Sequence, residues 1–400
     1  MNRSLILGPR DGWSLEPIAS WLLGEGRFLP SAVELMNGLM AQLDAAGAKI
    51  DRVRLTMTTL HPQLLAWGVF WDRPLGARPW SAEHGVQFLD AYVGSPNQYV
   101  RDERLSFRRR LDAPPEPDDH PTLDDLRAEG MVDYFALPLV FGSGVANVLT
   151  VATKAPEGFS ATDLERIAVL SSLLAPVFEI LAMRRMTLGL LDAFVGPRIS
   201  ERILQGQVKR GDGDRIEAAF WYSDLRGFTG LSESLPVGEL LALINEYFEY
   251  CAAAAAPRGG EILQFIGDAI LIVFEIPSRD KEAAVCESAL DAAIDAFDSI
   301  AVVNHRRRHA GHPQIEFGLG LHLGEVTHAN VGSPGRLAFN VVGPAVNMTA
   351  RIQSLTKDSG EPLLLSRPFA QLVKRPLRRV GEYNLRGVAG AQELFTPIEL

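Results

Sequence analysis

The stretch WYSDLRGFT, residues 221–229, decides how the second half of this chain is read. Phe220, Trp221 and Tyr222 close an apolar run with the composition of a buried strand, and Asp224 follows just before a glycine and a helix start. A second carboxylate, Asp268, stands in QFIGDAIL, where Gly267-Asp268 separates two apolar runs at 262–266 and 269–274. If these strands are neighbours, both carboxylates reach the same edge of one sheet. Two such groups suit Mg²⁺, which takes a few carboxylates and completes its shell with phosphate oxygens. Each alone also has a structural reading, because Gly-Asp is a favoured hairpin turn and an Asp before a helix is an ordinary cap.

A third element lies downstream, in NVVGPAVNMTAR at 340–351. Asn347 and Arg351 are four residues apart and share one helix face. Arg351 lies among Ala350, Ile352 and Leu355. The pair reads either as a salt-bridged core or as a phosphate clamp with a ribose contact.

Around these motifs the pattern alternates. Strands are expected at 216–222, 262–266, 269–274, 315–322 and 338–342, and helices at 237–255, 281–303 and 345–354. The first long helix carries Leu240, Leu241, Ile244, Tyr247, Phe248 and Cys251 on one side. Such alternation with hairpins predicts an α+β domain, helices on one face of a mainly antiparallel sheet. The glycine-rich run at 205–214, QGQVKRGDGD, marks a boundary before it.

The first half also reads as α+β. A helix is expected at 32–46, strands at 52–58 and 65–71, and a loop at 114–119. Two β-rich runs, 134–141 and 145–151, flank Gly142-Ser143-Gly144, a hairpin signal. Ser160 with Asp163 forms a capping-box-like helix start. From there Ile167, Leu170, Leu174, Val177, Leu181, Leu188 and Leu191 follow heptad spacing, with Arg184 in the remaining place and Pro176 implying a kink. This segment is either a helix packed on its own domain or a dimerising connector. The expected division is 1–158, a connector at 159–205, and 210–400.

The chain has 400 residues, 47% of them hydrophobic, enough for two or three packed domains. A net charge of −10 argues against broad nucleic-acid binding and leaves room for a nucleotide. Cys251 and Cys286 have no partner at metal-ligand spacing and read as buried thiols. No run of about 18 consecutive apolar residues is present, and the N-terminal MNRSLILGPRDGWS is too short in apolar length for a signal peptide. The expected location is cytoplasmic.

WYSDLRGFTGLS, LQFIGDAILIVF, GLGLHLGEV and FNVVGPAVNMTARI occur in this order over 221–352. Together they resemble the catalytic domain of class III nucleotide cyclases, the adenylate/guanylate cyclase family. The resemblance implies a ferredoxin-like catalytic domain from about residue 218 to 400. It implies two divalent cations, Mg²⁺ or Mn²⁺, held by Asp224, Asp268 and the Leu225 carbonyl. Phe228 and Thr229 match the helix start that cradles phosphates. Asn347 matches the asparagine that positions the ribose and Arg351 the arginine that stabilises the transition state. Arg386, in YNLRGV, falls near the basic residue for the terminal phosphates. The resemblance also implies a homodimer, since metal residues come from one subunit and the Asn/Arg pair from the other.

Two positions depart from the family. The purine selectors are Gln264 and Asn340, where adenylate cyclases carry Lys and Asp or Thr and guanylate cyclases carry Glu at the first. Both amides donate and accept. ATP is the expected substrate because Gln264 lacks the acidic acceptor for guanine; GTP, relaxed specificity and a non-catalytic nucleotide-binding module remain open. His305–His312 reads as a solvated helix end or a metal or phosphate site, His322 as a packed histidine, and Glu325 as part of a strand turn.

Residues 134–182 resemble the end of a GAF sensor domain, the run PLVFGSGVANVLTVATKAPEGFSATDLERIAVL at 138–170 having that family's hairpin followed by a long terminal helix. That implies an unidentified small-molecule or protein input coupled through the connector to the catalytic dimer. Trp67, Trp71 and Trp80 read as core residues or as the lining of a pocket.

Overall fold

Alternating β-branched and apolar residues build two separate sheets, each with its own core. The computed structural model describes residues 12–207, 209, 211, 213–333, 335–388 and 390–399. The N-terminal stretch read for a signal peptide lies outside the described residues up to residue 11, as do positions 208, 210 and 212 of the glycine-rich run. The chain divides into two units, Met1–Ala193 and Phe194–Leu400.

Among the described residues the first unit has six strands: β1 (Arg52–Thr58), β2 (Leu64–Asp72), β3 (Gly76–Glu83), β4 (Phe107–Arg110), β5 (Asp133–Val140) and β6 (Ala146–Thr153). Their order is β3-β2-β1-β6-β5-β4 and every pairing is antiparallel. Helices α1 (Glu16–Gly24), α2 (Ala32–Ala45) and α5 (Ala161–Val195) bury Ile18, Leu35, Met36, Leu39 and Leu170 against one face, with Leu55, Met57 and Trp67 from the strands. On the other face α3 (Pro96–Glu103) and α4 (Pro121–Ala128) place Val100, Leu123 and Leu126 against Ala136 and Val148. This α+β layout is compatible with the GAF-like reading.

Helix α5 starts as its capping box predicts. Ser160 Oγ accepts from the Asp163 N–H at 3.2 Å, and Asp163 Oδ2 accepts from the Ser160 N–H at 2.9 Å. The helix runs on through Pro176. Ile167, Leu170, Leu174 and Val177 of the heptad line pack in the core of their own unit. The later turns are open: Met183 is 57% exposed and Phe194 80%. Contrary to the expectation from consecutive apolar residues, this helix meets the length and mean hydropathy of a membrane span, 1.8 over 18 residues, with 44% of that window buried in the protein. Ser171, Ser172 and Glu179 interrupt the run without lowering its mean below that of a span, and the buried side serves as core.

The second unit follows α6 (Pro197–Leu204). Its strands are β7 (Gly213–Leu225), β8 (Gly260–Ile266), β9 (Ala269–Glu275), β10 (Phe317–Ser333), β11 (Arg336–Val342), β12 (Leu363–Ser366), β13 (Leu377–Asn384) and β14 (Ala391–Pro397). The order is β13-β14-β12-β10-β7-β9-β8, with β11 paired to β10. All pairs are antiparallel except β10 with β12. Helices α8 (Val237–Ala255) and α9 (Glu282–His309) cover one face, burying Tyr247, Cys251, Cys286 and Leu290 against Trp221, Ile272 and Leu319.

The opposite face carries α10 (Pro344–Ser359), the helix expected at 345–354; its place on this face was not read from the sequence. Glycines on β10 let it lie close. A Cβ on Gly320 would stand 2.8 Å from both Gln353 N and Thr349 O, atoms of the α10 backbone. Two expectations are corrected. On α8 Tyr247 and Cys251 are buried as expected and Ile244 and Phe248 pack partly on the core, but Leu241 is 53% exposed and Leu243 takes the buried place. Glu325 serves no turn: β10 continues straight through it, opposite Glu217, and the carboxylate lies 3.5 Å from Arg215.

Candidate active site

Strand register brings the two aspartates together. Asp224 is paired with Ala269 on one side and Gly318 on the other, and Ala269 is also paired with Ile266. Asp268 therefore stands in the two-residue hairpin turn beside Asp224, with Gly267 at φ +65° supplying the left-handed conformation. Alternation along β7 sends Trp221, Ser223 and Leu225 into the core under α8 and α9, and Tyr222 and Asp224 to the other face.

The buried side is braced. Ser223 Oγ receives the Trp221 indole N–H at 2.8 Å and the Tyr247 hydroxyl at 2.7 Å. After Leu225 the chain turns sharply. The Arg226 N–H donates to Glu316 O at 2.7 Å, and its guanidinium to Thr356 O at 3.1 Å. Gly227, at φ +68°, is the N-cap of α7 (Phe228–Ser234). Phe228 and Thr229 thus open a helix beside the aspartates, their N–H groups directed away from the helix body.

The electrostatics follow from crowding. The Asp224 carboxyl is pushed up to about 6, first by burial and then by Asp268, with partial relief from Lys357. Asp224 Oδ1 is buried without a hydrogen-bond partner. Burial and both carboxylates raise the Tyr222 hydroxyl as well. An unsatisfied buried carboxylate oxygen next to a second carboxylate is the environment a divalent cation relieves. The donor set fits: Asp224, Asp268 and the Leu225 carbonyl are hard oxygens. No cluster of three or more His, Cys, Asp or Glu side chains suited to a metal occurs among the described residues. A cation here would complete its shell from phosphate oxygens and water.

The other predicted residues form a second group. On α10, Asn347 is exposed and Arg351 partly so. The Arg351 guanidinium ends 3.5 Å from where a Cβ on Gly387 would stand, in the loop after β13 that also carries the exposed Arg386. No ion pair of Arg351 with a described residue occurs, so it is not the salt-bridged core residue that one reading allowed. Asn340 lies on β11, paired with Ala329, and its Oδ1 accepts the Val341 N–H at 2.8 Å. That leaves its amide N–H₂ as the outward group. Gln264 is exposed on β8, opposite Leu271.

Register also separates Gln264 and Asn340, the two positions read from the sequence as purine selectors. Gln264 is level with Leu271, Tyr222 and Gly320 across the sheet, and Asn340 is level with Ala329. Nine residue steps along β10 separate these levels, roughly 30 Å at strand rise. Gln264 and Asn340 of one chain do not reach one base.

Other readings resolve simply. His322 Nδ1 lies 2.8 Å from Ser366 Oγ, and burial pushes the imidazole down to about 4, as a packed histidine requires. Helix α9 extends to His309, so most of the 305–312 run is a helix end. Cys251 and Cys286 are free and buried. Sequence reasoning missed Lys357, two turns beyond Arg351, which faces Asp224; only the close packing of α10 on the glycines of β10 brings it there.

Comparison with known proteins agrees with the second unit. Residues 214–395 match the family model of the adenylate and guanylate cyclase catalytic domain. The chain is 30% identical over 187 residues to adenylate cyclase 1 of Rhizobium meliloti (strain 1021), covering 45% of this chain and 27% of that protein. It is 32% identical over 159 residues to an adenylate cyclase of Anabaena cylindrica, covering 39% and 30%. The crystal structure of the adenylyl cyclase CyaB from P. aeruginosa is 25% identical, with 47% of this chain and 97% of that one covered at a TM-score of 0.43. The chain thus spans less than a third of the length of these two curated relatives.

Proposed function

We propose that the adenylate and guanylate cyclase catalytic domain carried by residues 214–395 makes a 3′,5′-cyclic nucleotide and pyrophosphate from a purine nucleoside triphosphate, with ATP as the favoured substrate. The observation that carries the reading is the joint placement of Asp224, Asp268 and the α7 start at one sheet edge. The adenylate cyclases similar to this chain support ATP.

Two divalent cations, Mg²⁺ or Mn²⁺, would supply charge neutralisation and activation of the ribose 3′-hydroxyl when bound between Asp224, Asp268 and the Leu225 carbonyl. The chain's own residues do the rest. The N–H groups of Phe228 and Thr229 hold phosphate oxygens at the helix start. Arg386 takes the terminal phosphates. Asn347 orients the ribose so that its 3′-oxygen faces the α-phosphorus in line with the departing pyrophosphate. Arg351 stabilises charge building on the α-phosphoryl oxygens, where a guanidinium without a structural ion pair is free to act.

The site is built between two copies. Gln264 and Asn340 stand roughly 30 Å apart along the sheet, so a purine read by both meets Gln264 of one copy and Asn340 of the other. A symmetric homodimer would hold two such sites. We further propose that the first unit is a GAF-like sensor whose input reaches the dimer through α5.

A second reading, relaxed specificity that admits GTP, is favoured by one observation. Asn340 Oδ1 is held by the Val341 N–H, so its free group is a donor. A donor suits guanine O6 or adenine N1 but not the adenine amino group. The test is product formation from ATP and GTP in Mg²⁺ and in Mn²⁺, beside Asp224→Ala. Cyclic AMP lost in the variant supports the reading; comparable cyclic GMP assigns relaxed specificity; no product from a dimeric protein in either metal overturns it.

A further inference from the structure

The first unit contains a half-buried cation without a counter-charge among the described residues. Arg54 lies on β1, on the face opposite the α1–α2–α5 core. Its guanidinium is stacked 4.1 Å from the Trp80 ring centre, and its Nε is buried with no hydrogen-bond partner. No ion pair or hydrogen bond of the Arg54 side chain with a described residue occurs. Its neighbours on this face are also cationic. Arg52 and Arg78 flank the Phe70 ring at 4.6 and 4.4 Å, but each has its own acid, Glu129 for Arg52 and Asp72 for Arg78.

The geometry around Arg54 is prepared rather than incidental. Gly68 is paired with both Thr56 and Trp80, and a Cβ there would meet Leu55 O at 1.8 Å and Trp80 Nε1 at 2.8 Å. Its absence lets the indole lie flat across the sheet and donate to Leu55 O at 3.1 Å. Trp80 in turn holds the guanidinium in place. Thr56, next to Arg54 on the same face, has a buried hydroxyl with no partner, and Arg78 has a buried Nη1 with none. Arg54 and Arg78, with Phe70, Pro79 and Trp80, form a concavity of about 230 Å³ that Thr56 does not line.

A half-buried charge left without a partner is costly. A bound anion supplies the missing counter-charge. We propose that this concavity binds the oxyanion group of a small organic molecule, a carboxylate or a phosphate monoester, with Arg54 as its main partner and Arg78 as the supporting cation. The guanidinium fork matches both oxyanions in bidentate geometry. The volume falls below the usual range of drug-sized sites, roughly 300–1,000 Å³, so the molecule is small. Burial holds the Arg54 guanidinium below its ordinary range, with Tyr134 acting against the shift and Arg52 adding to it.

The test is thermal melting of the full chain against benzoate, phenyl phosphate and uncharged benzamide, at ionic strength matched with chloride. The expected result is a saturable rise in Tm with benzoate or phenyl phosphate and none with benzamide; which anion acts identifies the oxyanion. Arg54→Met should abolish the rise while melting, without ligand, at or above the wild type, because it removes an uncompensated half-buried charge. Arg54→Lys should weaken the apparent affinity about tenfold by losing the fork. Arg351→Ala should keep the full rise, which places the effect outside the second unit. The proposal is overturned if neither anion acts, if Arg54→Met keeps the rise or melts well below wild type, or if Arg351→Ala loses it.

Discussion

Asp224 is paired across β9 with Ala269, the residue that follows Asp268, and this single register places two carboxylates side by side with one oxygen of Asp224 buried and unpartnered. The arrangement is unfavourable for the protein alone and favourable for a cation.

The pH dependence follows from that crowding. In the metal-free protein the Asp224 carboxyl sits near 6, above the ordinary value of about 3.9 for an unfolded Asp. The folded state therefore binds the proton more tightly. Stability falls as pH rises from about 4 to about 6 and stays lower above. Asp224→Asn should raise Tm above pH 6 without metal, and the gain should vanish below pH 4. Melting curves across that window, with chelator present, check the sign.

Mg²⁺ or Mn²⁺ should stabilise the wild type at pH 7.5, in the manner of any ligand that binds only the folded state. Asp224→Asn and Asp268→Asn should each lose most of that gain. A metal-induced Tm rise equal in all three proteins would remove the cation from this edge.

Arg351→Ala should cut kcat by a factor on the order of 10²–10³, the usual loss for one preorganised donor at a charged transition state. Its Tm should stay within about 0.5 kcal/mol of wild type in stability, because no described residue depends on it for an ion pair. Activity and melting measured on one preparation separate these outcomes.

Two structural changes should act through position rather than chemistry. Ser223→Ala leaves the buried Tyr247 hydroxyl and Trp221 N–H without their shared partner, costing about 1–3 kcal/mol. Gly320→Ala drives a methyl into the α10 backbone, costing about 1–3 kcal/mol and moving Asn347 and Arg351 with the helix. Urea denaturation gives the first; for the second, activity should fall further than stability alone accounts for.

Much of this was legible in the chain itself. The α8 limits, 237–255, coincide with the expected helix, and the β8–β9 hairpin lies where Gly267-Asp268 placed it, because local periodicity and turn chemistry decide both. What escaped depends on tertiary placement. The short strand β12 and the pair β13 and β14 carry weak periodicity, and β12 joins the sheet in parallel. The buried place of Leu243 on α8 and the position of α10 over Gly320 are set by packing, not by spacing. Lys357 faces Asp224 only because α10 runs back along β10. Glu325 suggested a turn because LGEV ends an apolar run, yet the ladder with β7 carries the strand past it. The lone Arg54 was invisible for a related reason: an arginine in an alternating strand reads as solvent-facing until the ring that covers it is placed.

The central claim is that each site takes residues from two copies. The most direct measurement mixes two separately inactive proteins, Asp224→Ala and Arg351→Ala, after subunit exchange. Random pairing gives half heterodimers, each with one intact site, so activity should return to about a quarter of wild type. Recovery at that level means that Asp224 of one copy works with Arg351 of the other. A mixture that stays as inactive as its components, with exchange demonstrated, would contradict the shared site.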